Sequence, residues 1–227
     1  MFGIICSKKG EVLPILSFMT DVTTEEYAGM EFSTGKINGK DVVISRSGIG
    51  KVYAAICAQT MILKYHPENI INFGVAGGLA DGLNIGDIVV ATKVCQHDYD
   101  TSPTGEPIGY IIGINTIYMD CNLSIAEKFL SAAKSLGLSA VSGVIATGDC
   151  FVAEKSKKDW LKSEFNAVAC EMEGGAIGQV CLHNGVDFNI IRSVSDIGDD
   201  NASINYTEFF RQTAERGADV LKKMFND

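Results

Sequence analysis

The chain has 227 residues, of which 46% are hydrophobic and 21% are charged, a composition typical of a globular protein with a sizeable buried core. Its formal net charge of −9 argues against nucleic acid or an anionic membrane surface as the main partner. The apolar stretches are interrupted after roughly ten residues, which is too short to cross a bilayer.

The first part of the chain predicts a buried strand, a hairpin and a helix. FGIIC, from residue 2, is the strand, and Pro14 after it would fit only the first turn of a helix. The alternating segments MEFSTGKI and DVVISRS are joined by Asn38-Gly39, a pair typical of tight hairpin turns. The periodic stretch VYAAICAQTMILKYH predicts a helix that ends before Pro67.

Strands and helices alternate from there to the end of the chain. NIINFGVAGGL predicts a strand followed by a glycine-rich loop, DIVVATKVCQHD predicts a second strand, and residues 98–118 predict loop and irregular strand. LSIAEKFLSAAKSLG predicts an amphipathic helix that ends at Gly137. The remaining predicted elements are strand SGVIATG, a helix from about residue 153, strand NAVACE, helix GAIGQVCLH, strand FNIIRSVSD and helix YTEFFRQTAERGADVLKKMF.

This order of elements predicts a single α/β domain over residues 1–227. Alternating strands and helices favour a mostly parallel sheet covered by helices on both faces. The hairpin adds antiparallel pairing, so we expect a mixed sheet. No composition break or low-complexity linker divides the chain into two domains.

The cysteines bear on the cellular compartment. All seven are scattered, and none forms a Cys-X-X-Cys pair, so we expect neither a disulfide framework nor a zinc site. We also find no signal peptide. The sequence therefore predicts reduced thiols in a cytoplasmic protein without a bound metal.

Polar groups follow most of the predicted strands. Glu11 comes after the first strand, residues 149–151 (Asp-Cys-Phe) and 171–173 (Glu-Met-Glu) follow two later strands, and Asp196 ends the last one. Because the carboxyl ends of parallel strands gather at one edge, we expect these groups to converge on one cleft. That cleft would combine an aromatic side chain for stacking with three or four carboxylates.

Each of these signals also has a plain structural explanation. The acids at 171 and 173 suit a helix N-terminus, Glu11 suits an exposed helix face, and Asp196 suits a turn or helix cap as well as catalysis. Arg192 lies inside an apolar strand, where an unpaired charge is costly, so it predicts a carboxylate partner.

Several generic motifs match poorly. SGIGKVY and GVAGGL fit neither a phosphate-binding P-loop nor a dinucleotide fingerprint, which would require Gly or Ala in place of Tyr53. His97-Asp98 could indicate a metal site or a catalytic pair, but the chain has only three histidines, which makes metal binding a minor alternative. A serine triad lacks its Gly-X-Ser-X-Gly nucleophile elbow.

A set of motifs along nearly the whole chain occurs together in one known family. They are GIIC followed by Glu11, then SGIGKV, INFGVAGGL, GDIVVAT, ATGDCFV, ACEMEGGAI and RSVSDIGDD. On these motifs the chain resembles the 5'-methylthioadenosine/S-adenosylhomocysteine nucleosidases, within the wider nucleoside phosphorylase and nucleosidase family. The resemblance implies a nucleoside phosphorylase-like fold of three α/β/α layers, with a central twisted mixed β-sheet flanked by helices.

The resemblance also implies an activity. The reaction is hydrolysis of the bond between adenine and C1' of a 5'-substituted ribose, without cofactor or metal, by a cytoplasmic homodimer in methionine salvage and nucleoside catabolism. Candidate substrates are 5'-methylthioadenosine, S-adenosylhomocysteine and 5'-deoxyadenosine.

The resemblance also implies a role for each residue that matches the family's motifs. Asp196 matches the acid that protonates adenine N7, Glu11 matches the base that activates water, and Arg192 would help to orient that water. Glu173 matches the residue that binds the ribose hydroxyls, and Phe151 the aromatic that stacks on adenine. Further positions expected at the substrate are Ile49, Val75, Ala76, Gly77, Val152, Glu171, Met172, Ser195 and Tyr206, with Val152 acting through its backbone, Tyr206 as an aromatic lid and Glu171 in a structural role or paired with Arg192.

The chain departs from the family around the 5' substituent. Lys8 stands where the family often has Met, and Val75 stands where a relative may have Ser. Residues 102–121 correspond only loosely to the region that reaches the partner subunit's active site. The 5' group therefore stays open among methylthio, homocysteinyl, hydrogen and the aminofutalosine side chain.

Two other functions remain open at this point. A nucleoside phosphorylase on the same fold would need a basic phosphate site, for which SKKGE offers two lysines, but Glu11 would repel phosphate. A non-catalytic nucleoside-binding protein could keep the fold, yet Glu11, Glu173 and Asp196 together favour catalysis.

Overall fold

The structure, a computed structural model, describes residues 1–197 and 202–226. The last part of the RSVSDIGDD motif, residues 198–200, lies outside the described residues. The strands are β1 (Phe2–Cys6), β2 (Thr20–Tyr27), β3 (Met30–Ile37), β4 (Lys40–Arg46), β5 (Asn69–Gly78), β6 (Ile88–Gln96), β7 (Met119–Asp120), β8 (Ala140–Thr147), β9 (Ala167–Glu171) and β10 (Asp187–Asp196). The α-helices are α1 (Lys9–Leu16), α2 (Lys51–Tyr65), α3 (Leu123–Ser135), α4 (Lys155–Phe165), α5 (Gly174–Asn184) and α6 (Ala202–Asn226).

All these strands belong to one mixed sheet, as predicted. The order is β10-β6-β8-β9-β5-β1-β4-β3-β2, with β7 added beside β6. Strands β4, β1, β5 and β10 run parallel to one another, as do β6, β8 and β9, and the two groups meet through the antiparallel pairs β10–β6 and β5–β9. Because β10 also pairs with β5, the strands β5, β10, β6, β8 and β9 close into a ring. The closure was not predicted.

Helices cover both faces of the sheet, which confirms the three-layer architecture. On one face, α2 and α5 pack through a cluster that includes Met61 and Ile177. On the other face, α1, α3 and α6 pack through a cluster that includes Ile15, Phe129 and Leu221. Burying each of these large apolar side chains contributes about 1.5–3 kcal/mol, so the two clusters hold the layers together.

The predicted hairpin turn and the predicted end of α2 are confirmed. Asn38 and Gly39 both adopt positive φ, 49° and 79°, as a two-residue hairpin loop between β3 and β4 requires. Helix α2 ends at His66 in the left-handed conformation, directly before Pro67. Residues 1–197 and 202–226 contain no helix that is both long and apolar enough to cross a membrane.

Three local predictions were wrong or incomplete. Pro14 is the sixth residue of α1, beyond the first turn, because the helix already begins at Lys9. Strand β2 was missed because its sequence, TDVTTEEY, is exposed along nearly its whole length and carries no apolar alternation. The glycines after NIINF do not form a loop, since β5 continues through Gly78 and pairs there with β9.

Candidate active site

A cavity of about 340 Å³ opens where the carboxyl ends of β1, β5, β8, β9 and β10 meet the loop after β4. Its walls contain every residue predicted at the site except Arg192. They are Glu11, Ile49, Val75, Ala76, Gly77, Phe151, Val152, Glu171, Met172, Glu173, Ser195, Asp196 and Tyr206. Ser7, Lys8, Cys150 and Cys170 also line the cavity. The structure thus brings the predicted groups together in one place.

Glu11 is buried at the start of α1, and only 1% of its surface is exposed. Its Oε2 accepts hydrogen bonds from the backbone N–H groups of Ser7 and Lys8, at 3.0 and 2.9 Å, and from Ser7 Oγ at 3.0 Å. Its Oε1 accepts from the backbone N–H of Val75 at 3.1 Å. An acid at the third helical position commonly reaches back in this way. These contacts fix the carboxylate in the cavity wall, so Glu11 is no exposed helix acid.

Glu171 caps the helix that follows β9. Its Oε2 accepts from the backbone N–H groups of Glu173 and Gly174, at 3.0 and 2.8 Å, and Oε1 accepts from the Thr147 hydroxyl. The same Oε2 pairs with the Arg192 guanidinium. The structural explanation of an acid at a helix N-terminus therefore holds for Glu171, together with the predicted pairing to Arg192.

Glu173 stands in a different environment from Glu171. Its Oε1 accepts from the backbone N–H of Gly50 at 3.0 Å, and its Oε2 lies 3.8 Å from Arg192 Nη2. Burial, together with the nearby Glu171 carboxylate, raises the pKa of Glu173 to about 7, although Arg192 and the Gly50 N–H oppose the shift. Among the described residues, none donates a hydrogen bond to Glu173 Oε2. This oxygen is therefore available to accept a hydrogen bond from a ligand.

Arg192 lies behind the cavity wall, with 1% of its surface exposed. Its Nη2 donates to Asn72 Oδ1 and to Glu171. Burial disfavours the charge, but the carboxylates of Glu171, Glu173 and Glu11 together raise the pKa of the guanidinium. Arg192 thus has the carboxylate partner predicted from its place in an apolar strand, and its expected part in orienting water stays a prediction.

Two glycines permit these close approaches. A Cβ added at Gly74 would lie 2.5 Å from Arg192 Nη1 and 2.7 Å from Glu11 Oε1. A Cβ added at Gly50, whose φ is 94°, would lie 2.8 Å from Asp149 Oδ1. The glycine-rich segments thus make room for charged side chains around the cavity.

Asp196 and Phe151 both line the cavity. Asp196 is buried at the end of β10, and its Oδ2 accepts a hydrogen bond from Ser195 Oγ at 2.9 Å. The Phe151 ring is half-exposed and meets the Tyr206 ring edge-on, with 5.7 Å between centroids. A flat heterocycle between them would meet an aromatic face and a carboxyl edge.

A polar network, missed in the sequence, holds the loop that carries Phe151. Asp149 Oδ1 accepts from the backbone N–H of Lys51 at 2.8 Å, and the Asp149 N–H donates to Asp98 Oδ2 at 2.9 Å. Lys51 Nζ in turn pairs with Asp98 Oδ1 at 2.7 Å. Asp98 therefore acts in this network, and the described residues contain no group of three or more His, Cys, Asp or Glu placed to hold a metal.

Comparisons with known proteins agree with this geometry. The sequence model of the phosphorylase superfamily matches residues 1–226. A 5'-methylthioadenosine/S-adenosylhomocysteine nucleosidase of Shewanella loihica is 37% identical over 218 residues, covering 95% of this chain and 94% of the relative.

Solved structures give the same result. The Helicobacter pylori nucleosidase of that name, in complex with butyl-thio-DADMe-Immucillin-A, superposes with a TM-score of 0.95 at 35% identity and covers 99% of this chain and 97% of its own. A futalosine hydrolase of Helicobacter pylori matches at a TM-score of 0.95 and 34% identity, with the same coverage.

Proposed function

Because the chain belongs to the phosphorylase superfamily, and within it to the family of 5'-methylthioadenosine/S-adenosylhomocysteine nucleosidases, we propose that it hydrolyses the N-glycosidic bond of 5'-substituted adenosines. The products are adenine and the 5'-substituted ribose. Methylthioadenosine and S-adenosylhomocysteine are the first candidate substrates and 5'-deoxyadenosine is a third. The likeness to a futalosine hydrolase supports keeping the aminofutalosine side chain among the candidate 5' groups.

Adenine lies between Phe151 and Asp196 in this proposal. Phe151 stacks on the ring, the backbone of Val152 binds its edge, and Asp196 gives a proton to N7. Protonation turns adenine into a leaving group that can take the electron pair of the breaking bond to C1'. The buried position of Asp196 beside Ser195 supports this role.

The ribose lies against Glu173 and Met172. Glu173 Oε2 accepts from the ribose hydroxyls, and its negative charge stabilises the cationic sugar that forms as the bond breaks. Ile49, residues 75–77 and Ser195 complete the walls around the nucleoside, and Tyr206 covers it. Arg192 and Glu171 fix the Glu173 carboxylate from behind.

Glu11 activates the water that attacks C1'. The position of its carboxylate is the observation that favours a hydrolase over a phosphorylase. The N–H groups of Ser7, Lys8 and Val75 form an anion-binding cradle at the start of α1, but the Glu11 carboxylate already fills it. A fixed negative charge there repels phosphate and accepts a proton from water. This observation favours hydrolysis over phosphorolysis.

The test is chromatographic detection of free base from methylthioadenosine, S-adenosylhomocysteine, adenosine and inosine, with and without phosphate. We expect adenine without phosphate and no hypoxanthine from inosine. Glu11→Gln should lower turnover by about a hundredfold or more, because it removes the base, whereas Glu127→Gln on the exposed face of α3 should retain it. Release only with phosphate would establish the phosphorylase alternative, and ligand binding without any release would establish the non-catalytic one.

The proposal includes a cytoplasmic homodimer that acts in methionine salvage and nucleoside catabolism. Helix α2 exposes an apolar stripe, Val52, Tyr53, Ile56 and Leu63, and Ile49 extends it to the cavity. A second copy of the chain would cover this stripe. Seven free thiols support a reducing compartment. Light scattering on wild type and Val52→Asp tests the dimer, which the introduced charge should weaken.

A further inference from the structure

We propose that Lys8 makes the cavity select adenosine 5' substituents that end in a carboxylate. The inference rests on the proposed function and names the substrate class within it. The selected tail would extend from C5' of the ribose toward Lys8 and Tyr206.

The Lys8 side chain spans the gap between α1 and α6. Its ammonium donates a hydrogen bond to the Tyr206 hydroxyl and lies 4.5 Å from the centre of the Tyr206 ring and 5.4 Å from that of Phe210. Both aromatic residues belong to α6. With adenine placed at Asp196 and ribose at Glu173, this part of the wall is left for the 5' substituent.

Among the described residues that line the cavity, Lys8 contributes the one cationic side chain. No carboxylate in the described residues lies within ion-pair distance of its ammonium; the pairs formed in the neighbourhood join Arg192 to Glu171 and Glu173. An ammonium has three donors, and Tyr206 accepts from one of them. Two N–H groups therefore remain for a ligand, and they favour an anionic acceptor.

Tyr206 supplies a second donor at the same place. Its oxygen accepts from Lys8, so its own O–H can donate to a ligand, and none of the described residues accepts from it. Burial and the acids Glu11, Glu173 and Asp196 raise the pKa of Tyr206, which keeps the phenol protonated at neutral pH. A carboxylate at this position would accept charge-assisted hydrogen bonds from the ammonium, whereas a carboxamide oxygen would accept weaker hydrogen bonds and an apolar tail would accept none.

The experiment compares two 5'-thioethers of adenosine that differ only at the end of the tail. One is 5'-(3-carboxypropylthio)-5'-deoxyadenosine, and the other is the corresponding carboxamide. We expect the wild type to prefer the carboxylate by about tenfold in kcat/KM for adenine release, as for one charge-assisted hydrogen bond. Raised ionic strength should reduce this preference.

Variants assign the preference to Lys8. Lys8→Met should bring the carboxylate-to-carboxamide ratio close to one. Tyr206→Phe, which removes only the hydroxyl, should reduce the ratio less. Lys9→Met removes the same charge from the adjacent exposed residue, and it should leave the ratio unchanged.

The experiment distinguishes a failure of the Lys8 proposal from a failure of the proposed nucleosidase function. A wild-type ratio near one, or a ratio that Lys8→Met does not change, would overturn the role of Lys8 while adenine release from methylthioadenosine still supported the nucleosidase. If no substrate released adenine, the proposed function would fail instead. Calorimetric affinities of the two thioethers for wild type and Lys8→Met would then decide the inference, with a Lys8-dependent preference for the carboxylate supporting it and equal affinities overturning it.

Discussion

Replacing Arg192 by Met removes the positive charge that two buried carboxylates share. Arg192 pairs with Glu171, lies 3.8 Å from Glu173 Oε2, and binds Asn72. Met fills a similar volume but carries no charge, so Glu171 and Glu173, whose side chains are almost fully buried, would repel each other without a compensating cation. Loss of one partner from a buried ion pair typically costs about 3–5 kcal/mol, and we expect the free energy of unfolding to fall by this amount.

The double variant R192M/E171Q tests whether the loss of stability comes from the unpaired charge of Glu171. The amide oxygen introduced by Glu171→Gln can still accept from the N–H groups of residues 173 and 174, and the amide NH2 can donate to the Thr147 hydroxyl oxygen, but the side chain no longer leaves an uncompensated charge. We therefore expect the double variant to be more stable than R192M by about 2 kcal/mol, within the range of couplings between contacting residues.

Urea unfolding followed by fluorescence suits this measurement, because the chain has one tryptophan and Trp160 packs edge-on against Phe165 at 5.4 Å. The matched control is Arg211→Met, which removes an exposed i,i+4 pair with Glu215 and should change stability by less than about 0.5 kcal/mol. The reasoning fails if R192M lies within about 1 kcal/mol of the wild type, or if the second substitution destabilises R192M further.

Two further perturbations probe the same cavity. Since the folded-state pKa of Glu173 is raised from 4.5 to about 7, its ionisation opposes folding fully above pH 7, and this opposition disappears as pH falls toward 4.5. In the wild type, the free energy of unfolding should therefore rise by up to about 3 kcal/mol as the pH falls from 7 to 4.5, and Glu173→Gln should remove this rise. Urea titrations across that pH range measure it, and an unchanged pH slope in the variant would contradict the prediction. Gly50→Ala forces a Cβ to 2.8 Å from Asp149 Oδ1 at a φ of 94°, so it should cost about 1–3 kcal/mol of stability and raise KM for methylthioadenosine. Gly29→Ala is its control, because Gly29 also has positive φ but meets no neighbour, and equal effects of the two would exclude a role for the close approach.

Local patterns predicted most of the fold. Asn38-Gly39 predicted the hairpin because both residues tolerate positive φ, and the apolar period of α2 predicted its helix up to Pro67. The closure of the strand ring was out of reach, since it depends on pairing of β5 with both β10 and β9, which are distant in the chain.

The sequence predicted which residues lie at the site more fully than it predicted how they are arranged there. The strand ends and the family resemblance identified which residues reach the cavity, but neither carries information on depth, so they did not show that Arg192 lies behind the wall. Only the resemblance distinguished Glu171 from Glu173, because their different environments come from Thr147 and Gly50, far away in sequence. Tertiary partners decide such roles.

The ring of strands also determines where the sheet can grow. Strands within the ring pair on both sides, and the sheet path ends at β2, where an unpaired backbone edge could recruit another chain and begin aggregation. That edge strand carries Asp21, Glu25 and Glu26, and its register shifts between Thr20 and Thr23 around the positive φ of Asp21. Acidic side chains repel an identical edge, and the bulge bends the strand away from flat pairing. The polar sequence of β2, which is the reason that this strand was not predicted, thus also disfavours edge-to-edge association.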